Sequence, residues 1–313
     1  MERVGVGREK LLLFGEHAAV YGFPSIGLGL PASTEIRVRS SREKGWRFPD
    51  LSGEEGTRFG DFLARAAGIL PAIACEGGEI RISSTIPMAL GFGSSAALCV
   101  ALAESFAAEG SSPAEIWSIA HRAEGYFHGK PSGVDTGMSL LGGLRSFRSS
   151  ARGLPETRLL QGIPLHLVVG AVRRRGSTAA LVAELHARIG SGEKGPGALV
   201  EELGGIADRA IALIEGTDAE YSDSVAGLGA LLGAAHEALR RLGLGDAGID
   251  RLISAGLESG ASGGKPSGAG RGGAFFLAYP SESSAKASAL SLAEFARREG
   301  IDLATPLRVF NLP

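Results

Sequence analysis

Two acids, a lysine and a glycine-serine turn in the first 135 residues could together manage a phosphoryl group. The turn is Gly91-Phe92-Gly93-Ser94-Ser95, set between the apolar run Ile86-Pro87-Met88-Ala89-Leu90 and the Ala/Leu-rich stretch Ala96 to Glu104. A glycine turn at a helix start gathers unpaired N–H groups and the positive end of the macrodipole, which draw an anion. Glu124 and Asp135 are acids of the kind that hold Mg²⁺ or accept a proton. Lys10 precedes the apolar run Leu11-Leu12-Leu13-Phe14, and Glu16-His17 follows it. Phosphoryl transfer needs charge neutralisation on the phosphates, a metal bridge and a positioned acceptor hydroxyl. Each piece also has a plainer reading: an ordinary helix entry, a solvated strand end, a surface turn, a solvated acid.

The elements that must position these groups can be read from pattern. Residues 10–14 form a short buried strand. Strands at 26–30 and 35–40 follow, the second alternating Ile36 and Val38 with Arg37 and Arg39. A helix over 59–70 and a strand over 79–83 lead into the glycine-serine turn. Residues 96–104 lack Gly and Pro and read as helix, with Ser94 or Ser95 as its cap. Ser112-Pro113-Ala114-Glu115 is a capping box with Pro at the first helical position, opening a helix to about His128. Gly129-Lys130-Pro131-Ser132-Gly133 breaks the chain before Asp135. A strand over 140–147 and a polar stretch to 162 put a domain boundary near 160.

Beyond it come a strand at 165–172, the run Arg173-Arg174-Arg175, and helices at about 198–215, 220–242 and 247–257. The arginines either draw in an anion or form a solvated turn. A glycine-rich loop over 259–273 precedes a buried strand at 274–279. A helix at 284–299 and a strand at 307–310 close the chain. The string GKPSG occurs at 129–133 and again at 264–268, a repeat of turn chemistry.

Composition narrows the class. The 313 residues are 44% hydrophobic and 21% charged, as in a folded globular chain of two domains. A net charge of -2 gives no basic field for nucleic acid. No segment has the apolar length of a membrane span, and the N-terminus is too mixed for a secretory signal, so a cytosolic location is expected. Cys75 and Cys99, the two cysteines, read as reduced core thiols. The motif G-x-x-x-x-G-K-[ST] is absent, which excludes a P-loop enzyme, and no G-x-G-x-x-G fingerprint follows the first strand.

Taken in order, Lys10 to Gly22, Pro87 to Ala97, His128 to Asp135 and Gly268 to Gly273 resemble the motifs of the GHMP kinases. Within that family the first and third strings are most similar to the mevalonate kinases. The resemblance implies an α+β, two-domain fold: a ribosomal protein S5 domain 2-like N-terminal domain over 1–160 that binds ATP, and a ferredoxin-like C-terminal domain over 161–300. Residues 301–313 could return to the first domain. It implies Asp135 as catalytic base and Lys10 as the cation that neutralises developing charge and holds Asp135 ionised. Pro87, Leu90, Gly91, Gly93, Ser94, Ser95 and Ala96 would hold ATP. Ser95 and Glu124 would hold Mg²⁺. Glu16, His17, Ser177, Thr178, Gly268, Ala269 and Gly270 would face the acceptor, mevalonate. Another small-molecule kinase of the family, chiefly phosphomevalonate kinase, and a catalytically silent ligand sensor on the same scaffold are the alternatives, and a homodimer is compatible with the resemblance. The chain departs from the family's usual pattern at Arg8-Glu9, Thr136, Ala179 and Arg271.

Overall fold

The computed structural model describes residues 2–42, 44–70, 77–129, 131–150, 153–161, 165–174, 176, 178–216 and 221–312. They group into two compact units. The first comprises Met1–Lys10, Gly29–Met88 and Phe92–Gly143; the second comprises Leu11–Leu28, Ala89–Gly91 and Leu144–Pro313. No helix among the described residues is long and apolar enough to cross a membrane.

The strand β1 (Glu2–Phe14), whose residues up to Lys10 belong to the first unit, begins eight residues earlier than the apolar run suggests. The reason is packing. A Cβ on Gly5 would stand 2.0 Å from the Ala101 carbonyl oxygen, and one on Gly7 2.0 Å from that of Ala97. The start of the strand therefore lies directly on α2 (Ser94–Phe106), and only glycine admits that approach. The two strands expected at 26–30 and 35–40 are one, β2 (Ser25–Ser41). Pro31 lies inside this strand, which also pairs with β1. Residues 34–41 pair antiparallel with β4 (Gly77–Ser84), which also pairs parallel with the short β3 (Gly45–Arg47).

The helix α1 (Gly53–Ala66) buries Phe59, Phe62, Leu63 and Ala66, which join Ile36, Val38, Val100, Phe106 and Ile119 in one core. The helix α3 (Pro113–His128) opens on the expected capping box: Glu115 N–H donates to Ser112 Oγ, and Ser112 N–H to Glu115 Oε2. A short helix, α4 (Val134–Leu141), follows.

In the second unit, Ser25–Leu28 of β2 pair with β5 (Leu144–Arg148), which pairs with β6 (Glu156–Leu159). The strand expected at 140–147 thus loses its first residues to α4. A second sheet has the order β10-β7-β9-β8, made of β7 (His166–Val172), β8 (Gly263–Pro266), β9 (Gly273–Tyr279) and β10 (Arg308–Asn311). The last strand therefore pairs with β7; the return to the first unit left open by its sequence is not the pairing seen. The helices are α5 (Thr178–Gly190), α6 (Pro196–Glu215), α7 (Tyr221–Arg241), α8 (Ala247–Glu258) and α9 (Glu282–Arg298). Every residue of β9 is buried, and Phe275, Leu277 and Tyr279 pack with Ile249, Leu252 and Leu292.

Candidate active site

The first unit gathers Lys10, Ser95, Glu124 and Asp135. Lys10 is 4% exposed, so the solvated strand-end reading does not hold. Its backbone N–H donates to Phe92 O at 3.0 Å, and its stem runs beneath the glycine-serine turn. A Cβ on Gly93 would stand 2.6 Å from Lys10 Cγ, and Gly93 has φ +78°. The ammonium then reaches Asp135 Oδ1 at 3.1 Å. Asp135 lies in the first turn of α4, where the dipole favours an anion. Trp117 fixes that turn: its indole N–H is within reach of Gly133 O at 3.0 Å and Thr136 Oγ1 at 3.2 Å, while the Thr136 hydroxyl donates to Gly133 O. Thr136, which stands where the family commonly has Asn, thus closes the turn itself.

Neither Ser94 nor Ser95 caps α2. Gly93 takes that position in a left-handed conformation, and no side chain caps the helix. Ser95 is left free to meet His128 Nε2 at 3.1 Å, across from the last turn of α3. Glu124, one turn earlier on α3, is 1% exposed, and both its carboxylate oxygens are buried without a hydrogen-bond partner. Burial first, and the charge of Asp135 second, push its pKa up to about 8, while Lys10 opposes the shift. Two orphaned carboxylate oxygens mark a site that asks for a cation or a proton. Hard oxygen donors from Glu124 and Ser95 suit Mg²⁺, which usually takes one or two protein carboxylates and completes its shell with water and phosphate.

The second unit gathers Glu16, His17 and the Gly268–Gly270 loop. Glu16 pairs with Lys265, and both side chains are fully buried. His17 has φ +61° and its Nε2 lies 3.2 Å from Ala269 O. A carbonyl only accepts, so the proton sits on Nε2 and Nδ1 keeps its lone pair. Burial is the main cause that lowers the His17 pKa to about 4, with Arg174 and Lys265 adding to it. Residues Ala89–Gly91, the start of the glycine-serine turn, group with this unit; Ala274 N–H donates to Leu90 O at 2.6 Å.

Other expectations resolve less simply. Ser177 lies outside the described residues, and Thr178 is seen only as the backbone start of α5. Of the arginine run, Arg173 pairs with Asp302 at 2.8 Å, Arg174 lies beside Gly272 and Gly273, and Arg175 is not described. Arg271 has φ +51°, and its guanidinium makes a two-pronged pair with Glu184 of α5 at 2.6 and 2.8 Å. Lys265 and His128 are the polar groups that reading for chemistry passed over. Lys265 sits inside the second GKPSG string, and its partner lies 249 residues away.

The family model for the GHMP kinases N terminal domain matches residues 59–143, and that for the GHMP kinases C terminal domain matches residues 219–297. The mevalonate kinase of Thermococcus sibiricus is 29% identical over 313 residues, covering 91% of each chain. Among solved structures, L. major mevalonate kinase in complex with R-mevalonate has a TM-score of 0.76 at 22% identity, over 98% of this chain and 94% of that one. Streptococcus pneumoniae phosphomevalonate kinase has a TM-score of 0.77 over the full length of both, at 14% identity. These structural likenesses show the fold.

Proposed function

The chain belongs to the GHMP kinases, and we propose that it transfers the γ-phosphoryl group of ATP to the 5-hydroxyl of mevalonate. The observation that carries this reading is the buried Lys10 ammonium 3.1 Å from Asp135 Oδ1, in the same unit as the α2 N-terminus. The extended likeness to archaeal mevalonate kinase supports the choice of acceptor.

In this mechanism the Asp135 carboxylate takes the proton of the acceptor hydroxyl. The freed oxygen bonds to the γ-phosphorus, and the bond from that phosphorus to the bridging oxygen of ADP breaks. Lys10 offsets negative charge as it grows on the attacking oxygen. The free N–H groups of Ser94, Ser95 and Ala96 at the start of α2 receive phosphate oxygens, with Gly93 admitting close approach. Pro87, Leu90 and Gly91 would line the approach of ATP. Ser95 and Glu124 would hold Mg²⁺, which supplies charge neutralisation to the phosphates when bound. The Ser95 hydroxyl can donate to His128 Nε2 and so present its lone pairs outward. His17 and Gly268–Gly270 would form the acceptor side.

The test is ADP release coupled to a spectrophotometric readout, with ATP and Mg²⁺ and with mevalonate, phosphomevalonate, galactose and homoserine offered in parallel. Turnover on mevalonate alone is expected. Turnover confined to another acceptor overturns the substrate assignment. Asp135→Asn should abolish turnover while ATP still binds; near-normal turnover in that variant would remove the base from the mechanism.

A further inference from the structure

Glu16 was expected, by family resemblance, to face the acceptor. Its side chain is fully buried, and so is that of Lys265. Among the described residues Lys265 is its one charged partner, because Glu16 Oε1 takes the ammonium and Oε2 is buried with no partner at all. Lys265 is held from its other sides by Pro266 O at 2.8 Å and by the Phe276 ring, 5.4 Å from the ammonium.

The pair is one of three links between two short segments of the second unit. Leu12 N–H donates to Ser267 Oγ at 2.9 Å, Glu16 meets Lys265, and His17 Nε2–H donates to Ala269 O at 3.2 Å. Alternate residues 265, 267 and 269 are thus each tied to the stretch 12–17. In the turn they hold, His17 carries the strain, with φ +61° and ψ -35° on a residue that has a Cβ, while Gly15 takes φ +90° freely. A buried ion pair is a poor source of stability, since an apolar pair of like volume serves as well or better. What it adds is one fixed arrangement of the segments that carry it.

We infer that Lys265 is a positioning residue. Through Glu16 it fixes the Gly15–His17 turn against the Gly268–Gly270 loop, and so sets the geometry in which His17 and the loop receive the acceptor. The assignment of those groups to the acceptor rests on the proposed function; the arrangement itself does not.

The test compares wild type, Lys265→Met, Glu16→Gln and the double variant. Lys265→Met alone strands a buried carboxylate and should unfold or melt early. The double variant removes both charges, so it should recover most of the lost melting temperature. Its KM for the acceptor should still rise about tenfold or more, with KM for ATP within about twofold of wild type. Adding His17→Asn should raise KM no further, because the lysine acts through that side chain. A double variant with wild-type acceptor KM, or one with equal rises in both KM values, overturns the inference. The same holds if the added His17→Asn multiplies the defect. A readout free of any acceptor is the His17 Nε2–H resonance, which should be protected from solvent exchange in wild type and exchange at least about tenfold faster in the double variant. Unchanged protection sinks the positioning role whatever the substrate proves to be. Loss of protection in an enzyme inactive on mevalonate sinks only the substrate assignment.

Discussion

Lys10 Nζ stands 3.1 Å from Asp135 Oδ1, with the lysine side chain 5% exposed and the aspartate 38%. The cation is thus buried and the acid open, the arrangement a base needs when its substrate arrives from solvent. Lys10→Met keeps the packed stem beneath Gly93 and deletes the charge. It should lower kcat by about 10²- to 10⁴-fold with a small change in KM for ATP, because the lost interaction belongs to the transition state. Steady-state kinetics check it. A kcat within about threefold of wild type would show that Lys10 only packs.

Glu124 makes stability depend on pH in a specific direction. Its folded-state pKa of about 8 lies above the unfolded value of 4.5, so the folded chain binds the extra proton between those limits. The contribution of Glu124 to stability therefore falls as pH rises from 4.5 to 8 and levels off above it. Glu124→Gln removes this slope. Relative to that variant, wild type without divalent ions should lose on the order of 3 kcal/mol between pH 4.5 and 7. Melting curves in a chelator read the difference, and Mg²⁺ should raise the wild-type midpoint more at pH 8 than at pH 6. Parallel pH profiles for the two proteins would contradict the burial of an orphaned carboxylate.

How much of this was legible depended on the distance over which each feature is decided. Lys10, Ser95, Glu124 and Asp135 lie in short strings that a family resemblance can pick out, and the capping box at Ser112 fixes its own helix start. The string GKPSG shows where that fails. At 129–133 its glycines end α3 and begin α4; at 264–268 its first residues lie in β8. The same five letters take two structures because Lys265 finds Glu16 and β8 finds β9. No local pattern carries such partners. The start of β1 was missed for a related reason, since what places Gly5 and Gly7 in a strand is the close approach of α2, which no neighbouring residue shows.

That contact makes Gly5→Ala a sharp test of the fold. The added methyl would stand 2.0 Å from Ala101 O and 2.7 Å from Ser105 N, both backbone atoms inside a buried helix. Neither can move without breaking α2. The variant should lose about 2–4 kcal/mol, at the upper end of overpacking costs. Gly110→Ala is a poorer control, since its φ is +83°; Gly125→Ala, on α3 with open space around it, is the better one and should change stability by less than about 1 kcal/mol. Denaturant midpoints at constant m-value decide it. Equal midpoints for Gly5→Ala and wild type would mean β1 does not lie on α2.

Arg271 stands where the family usually has glycine, and its backbone shows the cost. At φ +51° a residue with a Cβ pays about 1 kcal/mol or more, which glycine would not. Against that stands the pair with Glu184, which is partly solvent-exposed at both ends and is worth about 1 kcal/mol at most despite its two-pronged geometry. The guanidinium also donates to Gly243 O at 3.1 Å, a bond that fastens the glycine loop to the end of α7. Arg271→Gly relieves strain and removes these ties, so the two effects should nearly cancel in the melting temperature. The loop itself becomes freer, and hydrogen exchange at residues 268–273 should quicken. Arg271→Ala keeps the strain and loses the ties, and should therefore melt below both wild type and Arg271→Gly. If Arg271→Ala were the more stable of the two variants, strain at this position would be no part of its energetics.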